Sequence, residues 1–249
     1  MRDASEFPVS LPTGPDEEPR CTQDRVLVFA KAPSSARTRL VPALGTEGTA
    51  RLARRRGDEA LARAHAAALG PVTLCVTPDD GPFLESFQAP PGTLCVPQGG
   101  GDLGERMARA AERTLVHGDP VLLLGTDCPA LDVPTLRRIA EDMCRVDAVL
   151  VPALDGGYVA LGLRRFDPSL FSDISWGTPS VAPTTRARIS RLGWTLLELP
   201  ALPDVDEPRD LDALPAGWIK DSITWEAHAD PSIQSPAPKP MSNRPETLA

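Results

Sequence analysis

Four apolar residues in a row, Val121–Leu124, are followed at once by Gly-Thr-Asp-Cys-Pro at positions 125–129. An uninterrupted apolar run predicts a strand that is buried on both faces, as in the centre of a parallel sheet. Pro129 cannot donate to a sheet ladder, so the strand must end before it. Asp127 therefore falls at the carboxyl end of a central strand, where open α/β sheets bind their ligands. An equally consistent interpretation is that Asp127 caps the next helix or turn.

Short apolar segments alternate with amphipathic ones along the rest of the chain. Strands are predicted at 26–30, 72–76, 93–97, 121–124, 148–152, 158–163 and 195–199, and helices at about 46–69, 102–116, from 133 onwards, and 179–192. This alternation predicts an α/β fold with a single, mostly parallel, doubly wound sheet.

The two ends of the chain differ in composition from its middle. Residues 1–24 carry prolines and acids without periodicity and are predicted to be a flexible leader. Residues 216–249, with five prolines between 231 and 245, are predicted to be a disordered tail. The sequence thus predicts one domain over residues 25–215.

Composition excludes several classes of partner. The formal net charge of -8 argues against a nucleic-acid-binding surface, which would be basic. No apolar run approaches membrane-spanning length, and the N-terminus has no apolar signal core. The five cysteines are widely spaced without metal-ligand spacing, which predicts reduced thiols in a soluble, cytoplasmic protein. The sequence leaves the oligomeric state open.

Acidic residues follow three of the predicted strands: Asp127, Asp155, and the pair Asp204 and Asp206. Strand ends of the same sense share one edge of a parallel sheet, so these carboxylates are expected to converge on one cleft. Converging carboxylates repel one another unless a cation lies between them, and oxygen ligands suit Mg²⁺ or Mn²⁺. For each acid taken alone, a role in a turn or cap remains the alternative.

A basic loop follows the first predicted strand and contains Lys31, Arg37 and Arg39. Cations at this position would neutralise the phosphates of a nucleotide, and an arginine can make bidentate contacts with them. A solvated basic loop is the alternative that charge alone does not exclude. The chain has neither a P-loop GxxxxGK[ST] nor a GxGxxG fingerprint.

Two glycine-containing segments indicate further contacts with a ligand. In Asp155-Gly156-Gly157-Tyr158 the glycines allow positive φ or close approach of the backbone, and Tyr158 is the only tyrosine of the chain. A hairpin turn with Gly-Gly at its tip is the alternative. Residues 99–106 form a glycine-rich entry to a helix, where free N–H groups would face a nucleotide.

These segments together resemble the CofC-like transferases described as radical-SAM/selenodomain-associated transferase 1 (DUF2064), which have a GT-A-type nucleotide-diphospho-sugar transferase fold. The resemblance spans about residues 26–214. The matching stretches are FAKAP (29–33) with RTRL (37–40), GDLGERM (101–107), GTDCPAL (125–131), PALDGGY (152–158), WGT (176–178) and DVDEP (204–208).

The resemblance implies a Rossmann-like GT-A domain that binds a nucleotide together with a divalent metal. It implies that Asp127 and Asp206 are the metal ligands, that Lys31, Arg37 and Arg39 contact the phosphates, and that the turn from Asp155 through Gly156 and Gly157 to Tyr158 faces the acceptor. The glycine-rich helix entry adds Gly101, Asp102 and Arg106 to the predicted nucleotide-binding residues. Asp155 is predicted to deprotonate the acceptor hydroxyl, so the predicted catalytic residues are Asp127 and Asp155. Two departures stand out: residues 34–36 form a shorter loop without the family's usual glycine, and Glu207 replaces a usual threonine.

Three hypotheses about function follow. The first is a metal-dependent glycosyltransferase-like enzyme that transfers a sugar from a nucleotide-sugar to a small-molecule acceptor. The second is a nucleotidylyltransferase of the CofC type, in which a substrate phosphate attacks an NTP. The third, which rests on the shortened loop, is a nucleotide-binding protein with weakened catalysis that acts as a partner subunit.

Overall fold

The computed structural model describes residues 24–33, 38–77, 87–215 and 217–219. Within them, seven strands form one sheet: β1 (Arg25–Lys31), β2 (Val72–Thr77), β3 (Leu94–Pro97), β4 (Val121–Leu124), β5 (Ala148–Pro152), β6 (Tyr158–Leu163) and β7 (Leu196–Glu198). Their order across the sheet is β3-β2-β1-β4-β6-β5-β7. Only β6 runs against its described neighbours, β4 and β5. The predicted mostly parallel α/β sheet is confirmed.

Four α-helices cover the sheet in the described part of the chain: α1 (Val41–Ala67), α2 (Leu103–Leu115), α3 (Val133–Met143) and α4 (Val181–Arg191). Helix α1 is interrupted at Gly45, whose φ of 67° is not helical. Asp102 and Asp132 cap α2 and α3 by accepting hydrogen bonds from backbone N–H groups of the first turn. All four predicted helices are present.

Alternate residues of the central strands face opposite cores. Leu122 and Leu124 pack in the cluster that contains α1 and α3, whereas Val121 and Leu123 pack in the cluster that contains α2 and α4. All four side chains are at most 3% exposed. The prediction that this apolar run forms a strand buried on both faces is therefore confirmed.

The sheet topology brings functional residues to one edge. Because β1 to β5 and β7 point the same way, the residues that follow them meet at the carboxyl edge. Strand β6 begins at the same edge, since Tyr158 pairs with Pro152 at the end of β5. The segment 155–158 is thus the hairpin turn that the sequence left as an alternative, and it lies where a ligand would bind.

Several expectations concern the ends of the chain and its cysteines. The predicted leader (1–24) and tail (216–249) fall almost wholly outside the described residues, although Trp218 is described and packs with Leu52 and Val205. Cys75, Cys95 and Cys128 are free, whereas Cys144 is disulfide-bonded. The expectation of reduced thiols is wrong for Cys144, because spacing along the sequence does not determine proximity in the fold. Among the described helices, none has both the length and the apolar character needed to cross a bilayer.

Candidate functional site

A cavity of about 720 Å³ opens at the carboxyl edge of the sheet. It extends from Gln98, after β3, past β1 and β4 to Asp155 and Tyr158 in the β5–β6 turn. Its lining includes basic groups, carboxylates and two aromatic rings. A volume of this size is in the range of small-molecule sites.

Four basic side chains line the cavity: Lys31, Arg39, Arg56 and Arg106. Lys31 is the exposed last residue of β1. Arg39 is also exposed, and its nearest acidic partner, Glu207, lies 3.8 Å away. Arg106 reaches from α2 to donate a hydrogen bond to the Thr77 hydroxyl at 3.2 Å. Arg37, the remaining predicted phosphate ligand, lies outside the described residues.

Three carboxylates form a cluster at this edge of the sheet. Oxygens of Asp155, Asp204 and Asp206 lie within 4.8 Å of one another. The segment after β7 lies beside the end of β5, because Ala153 and Leu202 form an isolated parallel β-bridge and Leu154 N donates a hydrogen bond to Leu202 O. Three carboxylate oxygens are a hard donor set that fits Mg²⁺ or Mn²⁺ and does not suit a thiophilic metal.

Asp127 has a different neighbour. Its Oδ1 lies 3.3 Å from Nη2 of Arg56, whose side chain is only 3% exposed. Arg56 also donates from Nη1 to the carbonyl of Val205, between the two aspartates of the segment after β7. The structure therefore groups Asp206 with Asp155 and Asp204 and pairs Asp127 with an arginine. The metal-ligand assignment of Asp127 and Asp206 stays a prediction.

The glycine-rich entry to α2 has a clear structural role. Asp102 accepts a hydrogen bond from Glu105 N, while the Glu105 side chain accepts one from Asp102 N, which makes a capping box. Among the predicted site residues of the two glycine-containing segments, Arg106, Gly157 and Tyr158 line the cavity, whereas Gly101, Asp102 and Gly156 do not. Contact of Gly101 and Asp102 with a nucleotide stays a prediction.

An aromatic pair also lines the cavity. Tyr158 and Trp176 contact edge to face, with ring centroids 6.3 Å apart and planes at 80°. Both line the cavity. The Tyr158 ring is partly exposed, but its hydroxyl oxygen is enclosed. Burial raises the pKa of this hydroxyl well above its ordinary value of 10, so it stays protonated and can donate.

Four polar or aromatic lining residues that bear on the chemistry of the site, Arg56, Gln98, Trp176 and Asp204, were not among the predicted binding or catalytic residues, although Asp204 was named as one of the converging acids. Asp204 and Trp176 stand in segments that the sequence analysis singled out, Asp204-Val205-Asp206 and Trp176-Gly177-Thr178, so a signal existed for both. Arg56 also had one, because it lies four residues after Leu52 on the apolar side of α1. Nothing in the sequence marks Gln98, whose amide donates to the carbonyls of Ala30 and Cys75 from the end of β3.

Comparison with known proteins adds the following similarities. A family model described as "Uncharacterized protein conserved in bacteria (DUF2064)" matches residues 60–178. A candidate nucleotide-diphospho-sugar transferase from Desulfovibrio desulfuricans G20 is 30% identical, with a TM-score of 0.71 over 77% of this chain and 86% of that protein. A search of curated proteins finds no match.

Two more distant structures share the fold alone. A nucleotidyl transferase from Methanothermobacter is 17% identical, with a TM-score of 0.54 over 80% of this chain and 99% of that protein. A 4-diphosphocytidyl-2C-methyl-D-erythritol synthase is 15% identical, with a TM-score of 0.50 over 77% of this chain and 96% of that protein. The implied fold is confirmed.

Proposed function

We propose that this chain, which belongs to the DUF2064 family, is a transferase that binds a nucleotide-sugar with a divalent cation and transfers the sugar to a small-molecule acceptor. The observation that carries the proposal is that one cavity is lined both by Lys31, Arg39 and Arg106 and by the three clustered carboxylates. The family relationship to a candidate nucleotide-diphospho-sugar transferase supports the same class of reaction.

The cation would be Mg²⁺ or Mn²⁺, held by Asp155, Asp204 and Asp206. When bound, such an ion neutralises the negative charge that develops on a departing nucleotide diphosphate. Three carboxylates whose oxygens lie within 4.8 Å of one another repel, and this is the electrostatic reason to expect a cation there. Arg56 is the compensating charge of Asp127, which makes Asp127 the less suitable ligand.

The remaining groups bind and orient the substrates. Lys31, Arg39 and Arg106 would contact the phosphates, where fixed cations stabilise the leaving group without reorganisation of solvent. Asp155 was also predicted to deprotonate the acceptor hydroxyl. A carboxylate bound to a cation is a weaker base. The prediction that Asp155 acts as a base therefore competes with the proposal that Asp155 helps to hold the cation.

Nucleotidylyl transfer is the second candidate function. Arg106 favours it, because Lys31, Arg39 and Arg106 together suit the charge of an NTP better than that of a diphosphate ester. In that reaction a substrate phosphate attacks the α-phosphate of the NTP and pyrophosphate leaves.

A thermal-shift panel separates the hypotheses. The wild-type protein is heated with each common NTP, nucleoside diphosphate and nucleotide-sugar, with Mg²⁺, with Mn²⁺ and with EDTA. The first proposal expects metal-dependent stabilisation that is strongest with one nucleotide-sugar. Stabilisation by NTPs alone, with release of pyrophosphate when a phosphorylated acceptor is added, would replace it with the second. Binding without turnover of any donor supports the non-catalytic hypothesis.

A further inference from the structure

Two buried polar atoms of residues that line the cavity lack hydrogen-bond partners among the described residues. The Tyr158 hydroxyl and the Trp176 indole N–H are both enclosed, and neither has a partner among the described residues. Buried tyrosine and tryptophan side chains normally satisfy these groups, and leaving them unsatisfied costs free energy. Two such atoms, on two rings in contact with each other, indicate that a ligand supplies the missing partners.

The Trp176 ring is held against the start of α2. Gly104 has no side chain there, and an added Cβ would lie 2.8 Å from Trp176 Nε1 and would also collide with the carbonyl of Phe171. The backbone around Trp176 is fixed as well, because Trp176 N donates to Ile174 O and the Thr178 hydroxyl donates to Ser175 O. The indole is therefore a preorganised wall of the cavity.

The chemistry of the pair limits what it can bind. The indole N–H is only a donor, whereas the phenol can donate or accept, and the ring surfaces favour contact with C–H groups. Tyr158 follows Asp155 by three residues, so an anion would meet the carboxylate cluster. A neutral ring that carries several hydroxyl groups meets all three conditions.

We infer that Tyr158 and Trp176 form the subsite for the sugar ring of the nucleotide-sugar. This inference rests on the proposed function. It assigns to the pair the recognition of the donor sugar, in place of the acceptor contact that the resemblance implied for Tyr158, and leaves the phosphates to Lys31, Arg39 and Arg106. Trp176-Gly177-Thr178, until now only one of the stretches that carry the family resemblance, is thereby given a role in binding the sugar.

The test compares two ligands that differ only in the sugar. Affinities of wild type and of Tyr158→Phe are measured by calorimetry, with Mg²⁺, for uridine, guanosine, adenosine, cytidine and thymidine diphosphates and for their glucose esters. For the nucleoside whose diphosphate binds to wild type, Tyr158→Phe is expected to lower the affinity for the glucose ester about fivefold to tenfold, as for one lost hydrogen bond. The affinity for the diphosphate itself should not change. Since the substitution is isosteric and removes an unsatisfied group, the melting temperature should not fall.

Trp176→Phe gives a second measurement, with Trp194→Phe as its matched control. Trp194 is a buried tryptophan outside the cavity lining, packed beside Arg165. Trp176→Phe should lower affinity for the glucose ester selectively, and Trp194→Phe should change neither ligand. Unchanged discrimination between the two ligands in both site variants overturns the inference while leaving the proposed function intact. If wild type binds none of the diphosphates or esters, the proposed function itself fails and the inference fails with it.

Discussion

The guanidinium of Arg56 lies 3.3 Å from the carboxylate of Asp127. The same guanidinium holds the carbonyl of Val205, whose N–H donates to the carbonyl of Asp127 at 2.9 Å. A buried cation therefore ties the end of the central strand β4 to the segment that carries Asp204 and Asp206. Val205 is itself buried, which fixes the two aspartates on either side of it.

This pairing predicts opposite effects for two aspartates of the same cavity. Asp127→Asn removes the carboxylate beside a buried guanidinium and should lower the free energy of unfolding by about 1–3 kcal/mol, less than for a fully buried pair because Asp127 is 31% exposed. Asp155→Asn removes one of three clustered carboxylates from an exposed side chain, so the metal-free protein should be unchanged or slightly more stable. Urea denaturation in EDTA measures both. Equal unfolding free energies of the two variants would show that the ion pair between Arg56 and Asp127 does not stabilise the fold.

The fold was predictable where a pattern of the chain itself determines structure. The apolar runs 121–124 and 148–152 could form only buried strands, and the residues after them lie at the ligand-binding edge for topological reasons. The direction of β6 was left open, because the run 158–163 is apolar on both faces whichever way it pairs, and a hairpin was only one of two interpretations of residues 155–158.

The partner of each charge in the site was also beyond sequence reasoning. Asp127 and Asp155 both follow buried strands, yet one meets Arg56 and the other meets Asp204 and Asp206. That difference is set by how α1 and the segment after β7 pack, through contacts such as Arg56 to Val205, 149 residues apart. Spacing along the chain carries no information about such pairs.

The cation-binding set can be determined without nucleotide. Titration of Mn²⁺, followed by its electron paramagnetic resonance signal, should show at least about tenfold weaker binding in each of Asp155→Asn, Asp204→Asn and Asp206→Asn, since even residues that only support metal ligands typically cost this much. Asp127→Asn, measured well below its melting temperature, should change Mn²⁺ affinity less than threefold, roughly the effect of a distant charge. If Asp127→Asn and Asp206→Asn lose binding while the other two keep it, the pair predicted from the sequence is the correct one.

Arg39 offers a test of phosphate binding with a close control. Arg39 and Arg209 are both exposed, and both lie near Glu207, at 3.8 and 3.1 Å, but only Arg39 lines the cavity. Exposed ion pairs contribute about 0–1 kcal/mol, so neither Arg39→Ala nor Arg209→Ala should change the unfolding free energy by more than that. Arg39→Ala should weaken nucleotide binding by about tenfold, as for a lost charge-assisted hydrogen bond, and Arg209→Ala should not. Equal affinities of the two variants would remove Arg39 from the site.

Stability should depend on pH through Asp24. Burial raises the pKa of this carboxyl from 3.8 to about 6, and the charge of Arg164 only partly opposes the effect. The folded protein therefore keeps the Asp24 proton at pH values where the unfolded chain has lost it, so stability falls as the pH rises from about 4 to 6. Asp24→Asn should remove this dependence and exceed wild type by at most about 3 kcal/mol at pH 7. Urea denaturation from pH 4 to 7 checks it, and a constant difference between the two proteins would contradict it.

Gly156, in the turn that carries Asp155, has no room for a side chain. Gly156 has a φ of 92°, and its carbonyl accepts a hydrogen bond from Ala182 N at the start of α4. An added Cβ would lie 2.5 Å from the Cα and the carbonyl oxygen of Pro179, so the turn would have to move away from α4. Gly92 is the matched control, because its φ of 87° is similar but a Cβ there would meet nothing within 4 Å.

Alanine at Gly92 should therefore cost only the left-handed backbone, about 1–2 kcal/mol. Alanine at Gly156 should cost that and about 1–3 kcal/mol more for the collision with Pro179. Because the same displacement would carry Asp155 away from Asp204 and Asp206, Gly156→Ala should also weaken Mn²⁺ binding, whereas Gly92→Ala should not. Equal losses of stability, with Mn²⁺ affinity intact in both variants, would mean that the turn is not held against α4.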